Sequence, residues 1–477
     1  MQMAMGRQTE RQGDLMLAWS DVPRSPGHVF YDRLQKVLID GDFDAFAEAT
    51  CKDYYASTMG AKSIPPGRYF RMHLVGYFEG IDSERGLEWR CSDSLSLREF
   101  LRIETGKRVP DHSWLSKTRS RLPHEVHAKI FDWVLALIAE QGLVLGERIG
   151  VDASSMEANA ALRTIVRRDT GEDYQEMLQR MAAESGIDTP SKDDLVRMDR
   201  QRKAKKLSNK DWVSQTDPDA RIAKMKDGTT HLAYKPEHAV DLDTGAVVAA
   251  DLHLADEGDT ATLPKTLATA ASNLEKVGAG PTKTARCECV TDKGYHSREG
   301  LKALDDSPWK TRIAEPKRKH FLRWHGDDDA RRAVTNNRAR LLSGVAKAAF
   351  KLRAELCERS FAHILDRGGM RRTWLRGRDN VHKRYLLHVA GHNISLLMRK
   401  LMGAGTPKEA IAKGCGGLLF WFTSLANRMR LSMLSLMGPT ISSALVVCNL
   451  TLERSVTFKN VLIQRADRIA VRPLQLS

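Results

Sequence analysis

Arg148-Ile149-Gly150-Val151-Asp152 is a short apolar run that ends on an acid, and Cys287-Glu288-Cys289-Val290-Thr291-Asp292 repeats the arrangement later in the chain. Short apolar runs of this length bounded by polar residues read as buried strands. Each of the two therefore leaves an aspartate at or near the end of an interior strand. Between them, residues 155 to about 225 are charged and helix-rich, and strand-like runs follow at His231–Lys235, His238–Leu242 and Ala246–Leu252. The last two are joined across Asp243-Thr244-Gly245 in the manner of a hairpin. A helix is expected over Thr262–Val277, another strand at Thr311–Ala314, and helix again over residues 330–364. The middle of the chain thus reads as a mixed α/β layer architecture with a helical insertion after its first strand. No internal repeat is present.

Upstream of Arg148 the pattern is different. From about residue 28 to 145, apolar residues recur at three and four, as in Tyr69–Phe78 and Val126–Leu135, which predicts a small all-helical domain. Pro65-Pro66-Gly67 breaks the chain before one helix. Ser96 three residues before Glu99 has the capping-box spacing, and Pro110-Asp111-His112-Ser113 starts another helix. The resulting division is an arm over 1–27, a helical domain over 28–145, an α/β domain over 146–400 with its insertion at about 155–225, and a helical or poorly ordered extension over 401–477.

Composition narrows the partners. The chain of 477 residues carries 75 Lys+Arg against 60 Asp+Glu, a formal net charge of +15, which suits a polyanion. From Trp309 to Arg378 there are nineteen Lys+Arg against seven acids, so this stretch holds most of the surplus. The seven cysteines lack zinc-type spacing and read as reduced thiols; Cys287 and Cys289 alternate on one side of a strand and are expected to be buried. The N-terminus has no secretory-signal pattern. Gly438-Pro439 interrupts the Leu- and Met-rich stretch 431–450, which argues against a membrane span. The location expected from this is cytoplasmic, with the nucleoid.

Carboxylates brought together from separate elements are what phosphodiester chemistry asks for, because two magnesium ions about 4 Å apart can stabilise both the attacking and the leaving oxygen, and magnesium takes hard oxygen ligands. An aspartate alone at a strand end is more often a turn residue or a cap. The surroundings carry further information. Gly150-Val151-Asp152-Ala153-Ser154 with Glu157-Ala158-Asn159-Ala160, Arg167–Glu172, Tyr234-Lys235-Pro236-Glu237-His238-Ala239-Val240-Asp241, Thr291-Asp292-Lys293-Gly294-Tyr295 and Glu358-Arg359-Ser360-Phe361-Ala362-His363 occur in that order. So do Pro65–Met72 and Pro110–Ser113 near the start. Over about residues 20–405 the chain resembles the DDE transposases of bacterial insertion sequences.

The resemblance implies a ribonuclease-H-like catalytic fold with Asp152 on the first strand, Asp292 after the fourth and Glu358 on a later helix, together binding two Mg²⁺ ions, with Mn²⁺ able to substitute. Glu355 lies one helical turn before Glu358, and spacing alone does not separate the two. In related transposases a tyrosine and an arginine precede the glutamate and a lysine follows it; here the arginine is displaced by one, at Arg353, and Leu365 stands at the lysine position. The resemblance further implies cleavage at terminal inverted repeats, transesterification into target DNA, and a homodimer on DNA. A nuclease without strand transfer, or an inactive DNA-binding relic, are the rival readings.

Expected DNA contacts are Lys117 and Arg119 on the polar side of a recognition helix starting at Asp111, Lys235 within the matched motif, and two clusters, Lys317-Arg318-Lys319 and Arg367, Arg371, Arg372 and Arg376, interleaved with tryptophans. After Gly403-Ala404-Gly405 the resemblance fades, and the tail beyond about residue 428 is expected to be dispensable.

Overall fold

The computed structural model describes residues 27–56, 60, 63–104, 106–202, 208–225, 227–317, 324 and 326–413. Seven helices come first: α1 (Gly27–Asp40), α2 (Phe43–Cys51), α3 (Pro66–Glu79), α4 (Glu84–Asp93), α5 (Leu95–Phe100), α6 (His112–Arg121) and α7 (His124–Glu140). Pro66 opens α3 at a position whose missing N–H costs nothing. Asp111 caps α6 as expected, its Oδ1 accepting the Trp114 N–H at 2.9 Å. The cap of α5 is Ser94 rather than Ser96: the Ser94 Oγ accepts the Leu97 N–H, and Ser96 lies inside the helix.

The α/β part follows as β1 (Arg148–Ala153), β2 (Met156–Glu157), β3 (Ile165–Arg167), α8 (Tyr174–Glu184), α9 (Lys192–Gln201), β4 (Trp212–Ser214), β5 (Arg221–Lys224), β6 (Thr230–Asp241), β7 (Val247–Leu254), α10 (Asp259–Lys276), β8 (Cys287–Thr291), α11 (Arg298–Asp305), β9 (Trp309–Ile313), α12 (Asp328–Leu341), α13 (Gly344–Phe361), α14 (Arg378–Met402) and α15 (Pro407–Ala412). The main sheet runs β7-β6-β1-β8-β9. Its β7-β6-β1 half is antiparallel and its β1-β8-β9 half parallel. Ile149 and Val151 of β1 are fully buried, each contributing about 1.5–3 kcal/mol. Cys287 and Cys289 are buried, as their alternation predicts.

Two features depart from the sequence reading. The segment after β1 is not purely helical: β2 and β5 extend the main sheet, and β3 pairs with β4 in a sheet of its own beside α8 and α9. And β6 is one strand of 12 residues, not two runs divided at Pro236. The Pro236 carbonyl accepts from the Ser154 N–H, one residue past the last β1 pair, Ala153 with Glu237. The missing proline donor therefore faces Ser154 at the end of the β1 pairing, where only the reciprocal bond to that residue is lost.

The change from helices to sheet near residue 146 is not a boundary in packing. α14, buried along almost its whole length, packs against α3 and α7 as well as β7, and α15 packs on α1. Residues 401–413 thus join the body, and everything described belongs to one compact unit. No helix among the described residues is long and apolar enough to cross a membrane. The stretch 431–450, and the rest of the tail from 414, lie outside the described residues.

Candidate active site

The parallel register of β1 and β8 pairs Ile149 with Cys289 and Gly150 with Val290. Continued by two residues, it brings Asp152 abreast of Asp292 at the same end of neighbouring strands, which lie about 4.8 Å apart. Asp152 is half-buried. Its Oδ1 accepts the Ala153 N–H at 2.9 Å and the Arg353 Nη2 at 2.7 Å. Asp292 begins a short 3₁₀ turn, Lys293–Tyr295, with its Oδ1 accepting the Gly294 N–H at 2.9 Å.

Gly294 marks a hollow between two carboxylates: a Cβ there would stand 2.6 Å from Asp259 Oδ2 and 3.1 Å from Asp292 Oδ1. Asp259, the first residue of α10, is a member of the site that sequence reasoning missed.

α13 lies across β1, β6 and β8 and buries Ala346, Ala349, Cys357, Ser360 and Phe361. At 100° per residue, Glu358 stands about 100° round the helix from Cys357 and Glu355 about 160°. Both glutamates are exposed; Glu355 points further from the packed face and pairs with Arg359. Burial raises the Cys357 thiol above its ordinary value, and the charges of Asp152 and Glu358 push it further the same way. Both carboxylates therefore act on one sulfur from either side of the helix–sheet contact.

Whether these residues suit a divalent cation can be judged from the donors. Aspartate and glutamate oxygens are the right type, and the hollow at Gly294 leaves two of them with no side chain between. Yet among the described residues no three His, Cys, Asp or Glu side chains converge closely enough to hold a metal ion. The donor chemistry fits, with Asp152, Asp292 and Glu358 as candidate holders; the ligand cluster is not assembled in this conformation.

Beneath the acids is a layer of fully buried polar groups. Glu237, paired in register with Ala153, is 0% exposed. Its carboxylate accepts from Thr262 Oγ1 and Tyr295 Oη, each at 2.8 Å, and from Thr266 Oγ1 at 2.5 Å, and lies 3.4 Å from His253 Nε2. Burial works to raise this carboxyl; the bonds from His253, Thr266, Tyr295 and Thr262 outweigh it and hold it below its ordinary value. Tyr295 is pushed up by burial, with Glu237, Asp259 and Asp152 adding to the effect.

His238, the register partner of Asp152, lies under the Phe361 ring, centroids 4.1 Å apart and planes 10° from parallel. The Ser360 hydroxyl donates to the Cys357 carbonyl at 2.8 Å, so it accepts from His238 Nδ1, also at 2.8 Å. The other ring nitrogen then accepts from the Tyr385 hydroxyl at 2.6 Å. This chain of bonds ties α14 through β6 to α13 just beyond Glu358. The signal for the layer was present in Lys235-Pro236-Glu237-His238, three ionisable residues in a strand buried from Ala233 onward, each of which needs a partner.

The expected DNA contacts separate into groups. Lys235 is withdrawn from that role: it is 7% exposed, and its ammonium is held by Asp259 at 2.7 Å, the Glu257 carbonyl and Thr262. Arg119 is likewise corrected. It faces the interior of the helical region, 7% exposed and ion-paired to Glu84, while Lys117 is exposed over the Trp114 ring. Lys317 and Arg367 are exposed; Arg318 and Lys319 lie outside the described residues. Arg371 pairs with Asp366 and reaches Ser154 Oγ and the Ser155 carbonyl, just beyond Asp152. Arg372 lies over the Trp374 ring at 5.0 Å. With Arg376, Arg163 and His231 it lines an open groove of about 480 Å³.

The comparisons with known proteins agree at both ends of the chain. A transposase domain (DUF772) matches residues 21–121, covering most of the helical region, and a transposase DDE domain matches residues 314–398, which include Glu358 and the arginine cluster. No curated protein and no solved structure gives a significant match. The two transposase domain matches, in this order on one polypeptide, support a DDE transposase of insertion-sequence type.

Proposed function

We propose that this transposase binds the terminal inverted repeats of its own element, cuts DNA there and joins the ends to a target by direct transesterification, with Asp152, Asp292 and Glu358 as the acidic triad. The observation that supports the reading is that Asp152 and Asp292 follow the same end of adjacent parallel strands, which α13, the helix of Glu358, packs across. The strand order β7-β6-β1-β8-β9, with β6 alone running opposite to the rest, supports a ribonuclease-H-like core.

Two Mg²⁺ ions, replaceable by Mn²⁺, are the proposed cofactors, held by the three carboxylates. A divalent cation, when bound, supplies Lewis-acid stabilisation of the charge that develops on the phosphodiester. The protein's own residues do the rest. Glu237 fixes Tyr295 and thereby the turn that carries Asp292, and the Tyr385–His238–Ser360 chain holds α13 at its height over the sheet. Arg371, Arg372 and Arg376, with Arg367, Lys317 and Lys117, are the proposed phosphate contacts, where guanidinium groups offer paired donors to phosphate oxygens. Arg318 and Lys319 extend that set by sequence. A homodimer on DNA, in the cytoplasm with the nucleoid, is the proposed working form.

The test is cleavage of labelled DNA bearing the element's own ends by the purified full chain with Mg²⁺. Asp152→Ala, Asp292→Ala and Glu358→Ala are each expected to abolish cutting and strand transfer while retaining binding. Full activity in any one removes that residue from the site. Glu355→Ala is expected to cut normally, and its inactivity would transfer the role from Glu358.

A further inference from the structure

Arg353 belongs to the site, although neither the charge of a metal ligand nor the spacing of the acids calls for it. Its guanidinium bridges the end of β1. Nε and Nη2 each lie 3.3 Å from the Val151 carbonyl oxygen, and Nη2 also reaches Asp152 Oδ1 at 2.7 Å. The pair is well inside the surface, with the arginine side chain 12% exposed and the aspartate 21%.

The fold makes room for this contact. The stem of Arg353 passes over Gly150, where a Cβ would stand 3.2 Å from the arginine Cγ, 3.2 Å from Cys357 Sγ and 2.6 Å from Leu242 Cδ2. A Cβ at this position would press on the leucine tip and on two side chains of α13, so glycine favours the close approach. The contact is therefore specified from both sides, by the glycine in β1 and by the arginine on the helix that also carries Glu358.

From this geometry we infer that Arg353 is a placeholder cation. It compensates the Asp152 carboxylate when no metal is held and competes with a divalent ion for the same oxygen. A carboxylate oxygen already accepting a guanidinium and a backbone N–H has little left to offer a dication, and the guanidinium charge repels one. Loading requires Arg353 to leave Asp152, a side-chain movement on the same helix that carries Glu358. The inference rests on the acidic triad proposed above and adds an order to it: the arginine departs before the metal is held.

Mn²⁺ binding to the full chain without DNA, followed by the electron paramagnetic resonance signal of the free ion, tests it. Arg353→Met keeps the aliphatic stem over Gly150 and removes the charge; Arg353→Gln is a second neutral variant should the first misfold, with circular dichroism reporting the fold of each. The neutral variants are expected to bind Mn²⁺ about tenfold tighter than the parent, the worth of one charge-assisted hydrogen bond. Adding Asp152→Asn is expected to remove the gain. Equal or weaker binding by folded neutral variants overturns the inference, as does a gain that survives Asp152→Asn. The triad reading fails separately: it falls if Asp292→Asn leaves both cleavage and the parent's Mn²⁺ affinity unchanged.

Discussion

The strand-end acids and the polar layer directly beneath them are built on opposite principles. Asp152 and Asp292 are half-buried and, among the described residues, form no three-ligand cluster with a third acid. Glu237 and His238, one strand away and level with Ala153 and Asp152, are 0% exposed and bonded on every side. The acids that are to meet a metal and a phosphodiester are left adjustable, while the groups that place them are locked by burial and hydrogen bonds. Rigidity in this site therefore resides one layer below the chemistry, where exchange with water is excluded.

The sharpest way to break this comparison is to substitute one acid from each layer. Asp292→Asn keeps a carbonyl acceptor for the Gly294 N–H, so its cap survives. It is expected to lower cleavage at least about 10³-fold, the scale for removing a group aimed at developing charge, with an unchanged melting temperature. Glu237→Ala takes their shared partner from His253 and three hydroxyls. It is expected to cost about 3–5 kcal/mol in denaturant unfolding, as for other broken buried ion networks. If the two substitutions affect folding equally, the layers are not distinct.

Acid pH probes the buried groups, His238 and Glu237 together with buried histidines elsewhere in the fold. Burial lowers His127, His382 and His392, each to about 3, and holds His238 well below its ordinary value. An imidazole that stays neutral in the fold takes up no proton as pH falls, whereas the unfolded chain's does so below about 6.5. Stability is then lost with falling pH, from about 6.5 toward the folded-state value, by about 1.4 kcal/mol per pH unit for each such histidine. Glu237 adds its effect lower down: a depressed carboxyl stabilises above its unfolded value and loses that contribution as pH drops through the folded one. Urea unfolding at pH 7.5, 6.5 and 5.5 should show a steepening decline over the last interval, and a flat profile would mean that these imidazoles are reached by protons in the folded protein.

How much of this was legible in the sequence follows the same division. The runs ending at Asp152 and Asp292 were readable because an interior strand must be apolar, and its first charged residue marks its end. The Glu358 position needed the helix phase: only the side of α13 that packs shows that Glu355 points away. Pro236 looked like a break because its lost donor matters only on a paired edge, and which edge is paired is a fact of tertiary structure. Lys235, read from the matched motif, and Arg119, read from the polar side of a helix, are instead paired inside by Asp259 and Glu84, on other elements. Ser96 had the capping spacing, but Ser94 starts the helix. Local chemistry was readable; pairings across distant elements, such as His238 with Tyr385, were not.

The smallest expected effect separates the two classes of cation. Arg372 is exposed beside the groove and stacked on Trp374, whereas Lys235 serves Asp259 and the Glu237 layer from within. Each phosphate neutralised releases about one counterion, so Arg372→Ala is expected to reduce the slope of log affinity against log salt by about one for DNA carrying the element's ends, with little change in stability. Lys235→Met should leave that slope as it is and lower the unfolding midpoint instead, because Asp259 then loses its partner. Equal changes in slope for the two variants would place Lys235 back against the DNA, and with it would go the distinction between a locked layer and a working surface.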